Sequence, residues 1–148
     1  MGHFATGVAV VTSRTSEGDA CGATANAVAS VSLEPPLVLV CLATSSVTHG
    51  CVLENGTFAI NVLRAGAGAL ARRFSRGRRA TRFDGLELGE ETTGSPVLAD
   101  ALAWLDCRIE AIHPAGDHAI VVGRVLACDA RAGEPLVFFR SRFREVAP

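Results

Sequence analysis

The stretch GATANAVASVSLEPPLVLVCL, residues 22 to 42, decides the fold of this chain. Its first half consists of small and hydroxylated residues, and Pro35-Pro36 then leads into an unbroken apolar run from Leu37 to Leu42. Bulky side chains are missing where a core would need them, and short hydrogen-bonding side chains stand in their place. This composition is typical of a surface on which a large, flat, polar ligand lies against the backbone.

Length and composition predict one domain over residues 1–148. The chain is 49% hydrophobic, which is enough to bury a core. The net charge of -1 gives no overall basic field for nucleic acid or an anionic membrane, so neither partner is expected. No apolar run approaches the roughly 18 residues of a membrane span, and the start lacks the pattern of a signal peptide.

The cysteines are five in number and widely spaced, with no CxxC pair: Cys21, Cys41, Cys51, Cys107 and Cys128. This pattern predicts neither a disulfide framework nor a metal site, and it favours the reducing cytoplasm as the compartment. Most of these thiols are expected to be small apolar fillers of the core.

Hydrophobic periodicity predicts six or seven strands and two short helices. The strands are expected at 7–13, 23–32, 37–42, 57–63, 103–111, 118–127 and 136–146. One helix is expected to begin at Ser45 or Ser46 and end at Asn55-Gly56, and another to span 68–75. Residues 76–96 are expected to form a loop. Without a regular βαβ rhythm, this order predicts a mostly antiparallel barrel.

Thr24-Ala25-Asn26 is the first segment that can carry chemistry. Its side chains and backbone are suited to the polar edge of a flat ring such as isoalloxazine, which presents carbonyl and N–H groups along one side. Taken alone, the segment is more typical of a polar strand edge or turn.

Two features are suited to a phosphate. Ser45, Ser46 and Thr48 precede the first predicted helix, whose free N–H groups favour an anion. The second feature is a cluster of arginines within eleven residues: Arg72, Arg73, Arg76, Arg78, Arg79 and Arg82. Each arginine alone is more typical of a solvated surface, but this density favours one or two as phosphate ligands. A nucleic-acid patch is disfavoured because few aromatic side chains accompany the cluster.

The segment Gly66 to Ala71 fits the dinucleotide pattern G-x-G-x-x-A between a predicted strand and a predicted helix. A Rossmann unit would continue into a parallel strand with an acidic residue about twenty positions on. The chain instead enters RGRRATRFDG, so the motif is interpreted as accidental.

Gly116-Asp117-His118 opens the strand AIVVGRVLA. A histidine at the start of a strand is placed to face a cleft and to donate to a carboxamide or a ring edge. The alternative is a turn-flanking histidine that binds loop carbonyls. Asp117 is expected to shape the turn at Gly116.

In this order, these segments resemble the flavin reductase-like family of FMN-binding split barrels, the small partners of two-component flavin monooxygenases. The matching segments are FATGVAVVT (4–12), the 22–42 block, FAINVL (58–63), RRFS (72–75), the strand around Cys107, GDH (116–118) and PLVFF (135–139). The resemblance implies a split β-barrel with a few short helices and a homodimer with flavin near the subunit interface. It also implies hydride transfer from NADH or NADPH to FMN or FAD for a separate oxygenase.

The resemblance further implies a set of site residues. Those that correspond to flavin contacts are Thr24, Ala25, Asn26, Ser30, Val31, Ser32, Cys41, Leu42, Ala43, Ser45, Ser46 and Arg82. His118, the one catalytic candidate, and Phe143 correspond to positions on the nicotinamide side. Three departures accompany the match. Met1 lies where the family's N-terminal helix would precede FATGV, and the terminal FFRSRF lacks the usual Tyr and Gly. The chain also contains neither Tyr nor Lys, so any phosphate or ribose contact from those residue types is replaced. Two rivals stay open, a flavin-binding electron-transfer protein and a non-catalytic barrel subunit.

Overall fold

Alternating apolar residues build a seven-stranded sheet in the computed structural model, which describes residues 1–147. The strands are β1 (Thr6–Gly7), β2 (Ala9–Arg14), β3 (Ala20–Ala25), β4 (Val28–Leu33), β5 (Pro36–Ala43), β6 (Thr57–Val62), β7 (Leu88–Glu90), β8 (Pro96–Leu98), β9 (Ala103–Ala115), β10 (His118–Ala130), β11 (Leu136–Phe139) and β12 (Arg142–Glu145). The helices are α1 (Val47–Asn55) and α2 (Gly68–Arg76), and a 3₁₀ turn follows at Arg79–Thr81.

The strand order β3-β2-β6-β9-β10-β5-β4 explains the barrel. Its first and last members, β3 and β4, are consecutive along the chain and are separated only by Asn26 and Ala27. So short a link requires the sheet to curl until its two ends meet. Because β3 and β4 are not hydrogen-bonded neighbours, the barrel is split at this seam. The predicted mostly β split barrel is confirmed.

Two smaller sheets complete the molecule, β1-β11-β12 and β7-β8. One apolar cluster fills the barrel and includes Phe58, Ile60 and Val121, which are fully buried. A second cluster around Phe74 and Leu63 lies between the barrel, α2 and the β1-β11-β12 sheet. Gly123 permits close packing in the barrel, because a Cβ there would lie 2.5 Å from the Phe58 ring.

Buried polar groups pin the loop segments to the barrel. The Asn61 amide donates to the carbonyl of Val10 at 3.1 Å and accepts from the N–H of Leu98 at 2.8 Å, which fixes β8. Asp106 on β9 is a charged residue, yet it is fully buried. It accepts hydrogen bonds from the N–H and hydroxyl of Thr93, so the covering loop satisfies its carboxylate.

The helices begin and end close to the predicted residues. The Ser46 hydroxyl accepts from the N–H of Thr48 at 3.2 Å and caps α1, which ends at Gly56 in the left-handed conformation (φ 72°). Every strand pair in the described part of the chain is antiparallel, so α2 does not belong to a Rossmann unit. Among residues 1–147, no helix is both long and apolar enough to cross a membrane.

Three predicted elements are wrong in detail. The strand expected over 23–32 is two strands, because the chain crosses the barrel seam at Asn26-Ala27. The strand expected over 136–146 is the hairpin β11–β12, which turns at Arg140-Ser141. The loop expected over 76–96 contains the 3₁₀ turn and β7, which pairs with β8.

Candidate functional site

A cleft of about 610 Å³ opens where the end of β3 meets helix α2 and the β11–β12 hairpin. Its volume falls within the range of ordinary ligand sites. The residues that form it come from five parts of the chain: Val8, Thr24, Ala25, Asn26, Arg72, Ser75, Arg76, Phe138, Ser141, Arg142 and Phe143. Four of the predicted site residues therefore share one cleft: Thr24, Ala25, Asn26 and Phe143.

The polar end of the cleft is built at the barrel seam. The Thr24 hydroxyl donates to the carbonyl of Ala71 in α2 at 2.6 Å, and the Asn26 amide donates to the Thr6 hydroxyl at 3.2 Å. Asn26 is exposed, and its carbonyl oxygen faces no donor among the described residues. It also borders a second, apolar groove of about 300 Å³ beside Phe4 and Val28. The hydrogen-bonding side chain of Asn26 thus borders both the cleft and the apolar groove.

The opposite wall is aromatic. The rings of Phe138 and Phe143 pack with their centroids 5.6 Å apart, and Phe143 faces the cleft from β12. The guanidinium of Arg72 lies 5.6 Å from the centre of the Phe143 ring. A flat ring held between hydrogen-bonding groups and an aromatic wall is stabilised by stacking.

The charge of the cleft is positive. Arg72, Arg76 and Arg142 contribute guanidinium groups, and no carboxylate belongs to the lining. Within residues 1–147, none of these three side chains makes an ion pair or donates a hydrogen bond. Their donors are available to an anion, and the field of the cleft favours one.

Arg82 lies outside this lining. Its guanidinium donates to the carbonyl of Gly22 at 2.8 Å and to that of Gly77 at 3.3 Å. Partial burial, and then repulsion from Arg79, lower the pKa of Arg82. The side chain therefore fastens the loop after α2 to strand β3, beside the cleft residues of that strand.

The remaining predicted residues lie at two places along β5. Ser30, Val31 and Ser32 lie on β4 beside the beginning of β5, where Ser30 and Ser32 pair with Val38 and Leu37. The others lie at or just after the end of β5, or at the start of β10: Cys41, Leu42, Ala43, Ser45, Ser46 and His118. None of them lines the cleft of a single chain. Ala43 is the strand partner of His118, which places the end of β5 beside the start of β10. The side chain of Leu42 packs into the barrel core, so only its backbone faces the surroundings.

His118 is oriented by its neighbour. Its Nδ1 lies 2.7 Å from the Oδ1 of Asp117, and about half of the imidazole is exposed. The hydrogen bond from His118 lowers the pKa of the Asp117 carboxyl. The carbonyl of Asp117 accepts from the N–H of Thr44, which ties this turn to the end of β5.

Sequence reasoning did not assign three polar residues of the cleft, Ser75, Ser141 and Arg142, and it named Arg76 only as one member of the arginine cluster. A signal exists for the helical pair, since Arg72 and Arg76 are four residues apart and share one face of α2. The sequence contains no comparable signal for the hairpin. Its turn residues, Arg140 and Ser141, adopt φ of 50° and 59°, where turns usually carry Gly or Asn.

Comparison with known proteins agrees with this geometry. The family model for the flavin reductase like domain matches residues 1–147. Over 143 residues the chain is 48% identical to the FMN reductase (NADH) SmoA of Agrobacterium fabrum, covering 97% of this chain and 80% of that one. It is 35% identical over 149 residues to HsaB of Rhodococcus jostii, the reductase subunit of a flavin-dependent monooxygenase, covering 100% of this chain and 75% of that one.

Among solved structures, the NADH:FAD oxidoreductase SgcE6 of Streptomyces globisporus, in complex with NAD and FAD fragments, superposes with a TM-score of 0.92 at 40% identity. The match covers 99% of this chain and 88% of that one. Since the family model and these relatives span nearly the whole chain, the protein belongs to the flavin reductase like domain family.

Proposed function

We propose that this protein is an NAD(P)H-dependent flavin reductase that supplies reduced FMN or FAD to a separate monooxygenase. The observation that carries the proposal is the cleft at the barrel seam, which joins hydrogen-bonding groups, an aromatic wall and unpaired guanidinium groups. Relatives named as flavin reductases and as a monooxygenase reductase subunit support the same reaction.

The residues of the cleft fit a flavin. Asn26 offers an amide oxygen to the N–H of the ring's pyrimidine edge, and the backbone at Thr24 and Ala25 offers further polar groups. Phe143 gives the apolar face of the ring a stacking partner. The arginines of the cleft suit the phosphate of a nucleotide.

The proposed reaction requires no nucleophile or general base from the protein. When bound, flavin accepts a hydride at N5 from C4 of the nicotinamide, so the protein has to orient two rings and exclude water. Donors beside the pyrimidine edge favour the anionic reduced ring, and the backbone of β3 is placed to supply them. His118 is proposed to orient the carboxamide of the nicotinamide, with Asp117 holding its Nδ1.

We further propose that two copies pair across β4. This strand is the edge of the seven-stranded sheet, and its Val31 and Leu33 are 47% and 87% exposed. Edge strands with exposed apolar side chains are suited to pairing with another chain. Ser30 and Ser32 do not line the cleft of their own chain. In the proposed dimer, pairing across β4 brings them beside the ligand. Leu33→Glu should then shift the sedimentation coefficient to that of a monomer.

The reaction is tested by anaerobic absorbance of the protein with FMN or FAD, before and after NADH or NADPH is added. Reductase activity predicts rapid bleaching of the flavin band, with slower bleaching for Asn26→Ala because the ring loses its amide partner. Asn55→Ala, an amide replacement outside the cleft, is the control.

The same experiment separates the rival functions. A flavin-binding electron-transfer protein would bind flavin without bleaching when either nicotinamide nucleotide is added. A non-catalytic barrel subunit would bind neither FMN nor FAD. Either result would contradict the proposed reaction.

A further inference from the structure

We propose that Arg72, Arg76 and Arg142 form a seat for a phosphomonoester of a bound nucleotide, so that this chain distinguishes nucleotides by a terminal phosphate. The inference rests on the proposed function, because it assumes that a flavin or nicotinamide nucleotide occupies the cleft.

The seat is formed by two elements that face each other across the cleft. Arg72 and Arg76 are one helical turn apart on α2, with Ser75 beside them. Ser141 and Arg142 come from the opposite side, at the tip of the β11–β12 hairpin. All five residues line the same cleft, so both elements offer it guanidinium and hydroxyl donors.

Three arginines outside the cleft, Arg14, Arg64 and Arg124, pair with carboxylates. Arg64 forms a two-point pair with Asp100, with distances of 2.9 and 2.6 Å, and Arg124 forms one with Glu110, with distances of 3.0 and 2.9 Å. The lining of the cleft contains no acidic residue, and its three arginines make no ion pair with any of residues 1–147. Like charges four residues apart on a helix repel each other. An anion bound between them would relieve that repulsion.

A phosphomonoester fits this donor set better than a carboxylate or a phosphodiester. It carries close to two negative charges above its second pKa of about 6, and its three terminal oxygens can accept from several guanidinium groups at once. Two nucleotides of this reaction class carry such a group, FMN at its 5′ position and NADPH at its 2′ position. NADH and FAD lack it. The seat therefore predicts a preference for FMN over riboflavin, or for NADPH over NADH.

The test is calorimetric binding with two pairs of probes that differ only in the phosphate: FMN with riboflavin, and adenosine 2′-phosphate with adenosine. The variant is Arg76→Ala/Arg142→Ala. The matched control, Arg78→Ala/Arg144→Ala, removes the same charge from exposed arginines of the same two regions that do not line the cleft.

In one of the pairs, we expect the double cleft variant to lose on the order of tenfold or more of the preference for the phosphorylated probe. The control should keep that preference. The pair that responds identifies the source, a flavin phosphate or the 2′-phosphate of NADPH. The preference should also weaken at pH 5, where the phosphate carries a single charge.

If the cleft variant and the control lost the preference for the phosphorylated probe equally, the proposal would be overturned, because the effect would then come from overall charge. So would an unchanged preference in both pairs. Arg76→Gln/Arg142→Gln repeats the test with a longer, neutral side chain in case the alanine protein does not fold. Binding is measured without turnover, so a phosphate preference in a protein that reduces no flavin would refute the reductase and leave the seat intact.

Discussion

The hydroxyl of Thr24 donates a hydrogen bond to the carbonyl oxygen of Ala71 at 2.6 Å and thereby joins the end of β3 to helix α2. These two elements are adjacent walls of the cleft, and each carries residues proposed to bind a nucleotide. Thr24 was selected from the sequence as a ligand contact, and in the fold it also determines where the helix lies. The position of Arg72, directly after Ala71, therefore depends on this hydrogen bond.

Thr24→Val should remove the hydrogen bond while keeping the shape of the side chain. The free energy of unfolding should fall by about 1 kcal/mol, the ordinary net contribution of such a bond. Flavin affinity should fall as well, because α2 is released from β3. Urea denaturation and a flavin fluorescence titration measure the two effects. Thr24→Ser keeps the hydroxyl and should preserve both, and a stable Thr24→Val protein with unchanged affinity would contradict the link.

His118→Ala should raise the KM for the nicotinamide nucleotide several-fold and change the dissociation constant of flavin much less. The imidazole is half exposed and pairs with Asp117, so its removal leaves the barrel core untouched. Stopped-flow reduction at varied NADH and NADPH separates the two quantities. Equal effects on flavin and nicotinamide binding would assign His118 a structural role.

The same substitution has a predicted pH signature. His118 lowers the pKa of Asp117, so the pair contributes stability above the carboxyl's ordinary pKa of 3.8, and this contribution is lost as the pH falls through the lowered value. In His118→Ala, the pKa of Asp117 should return toward 3.8. Carboxyl chemical shifts followed by NMR report it directly, and an unchanged pKa would show that the two groups do not interact in solution.

The barrel was predictable because its signals are local. The alternation along β9, the apolar run of β5 and the Ser46 cap of α1 each specify an element through neighbours in sequence. The resemblance predicts Thr24 and Asn26 as flavin contacts and Phe143, more than a hundred residues further along the chain, as a position on the nicotinamide side. The structure brings these three to one cleft.

The rest of the cleft could not be predicted, because it depends on how distant segments pack. Ser141 and Arg142 reach it through a turn that has positive φ at Arg140 and Ser141 but lacks the Gly or Asn typical of that conformation. Arg82 stood out by charge, like Arg76, but backbone carbonyls satisfy its guanidinium while that of Arg76 remains available. Closeness in sequence does not distinguish an arginine that binds backbone carbonyls from one whose guanidinium is available to a ligand.

The hairpin turn itself is testable through Ser141→Gly. Ser141 has φ 59°, a left-handed conformation that costs a residue with a side chain roughly 1 kcal/mol relative to Gly. The substitution should raise the free energy of unfolding by about that amount. Ser75→Gly, inside helix α2, is the same chemical change and should lower it by a similar amount. Urea denaturation compares them, and a loss of stability in both variants would show that Ser141 makes contacts worth more than its backbone strain.

Thiol labelling tests the burial of the barrel interior. Cys128 is exposed and Cys41 half-buried, whereas Cys21, Cys51 and Cys107 are buried. Burial raises the pKa of Cys107 to about 12 and raises that of Cys21 as well, and a high pKa suppresses the reactive thiolate. At pH 8, only about one Cys107 side chain in ten thousand would be ionised.

A disulfide reagent should therefore modify Cys128 first, then Cys41 more slowly, and the three buried thiols only after denaturation. Cys128→Ser should abolish the fast phase and leave the slow one. Mass spectrometry of the labelled peptides assigns each phase to its cysteine. Rapid labelling of Cys107 in the native protein would mean that β9 separates locally from β6 or from β10 under native conditions, because its sulfur is buried in the barrel core.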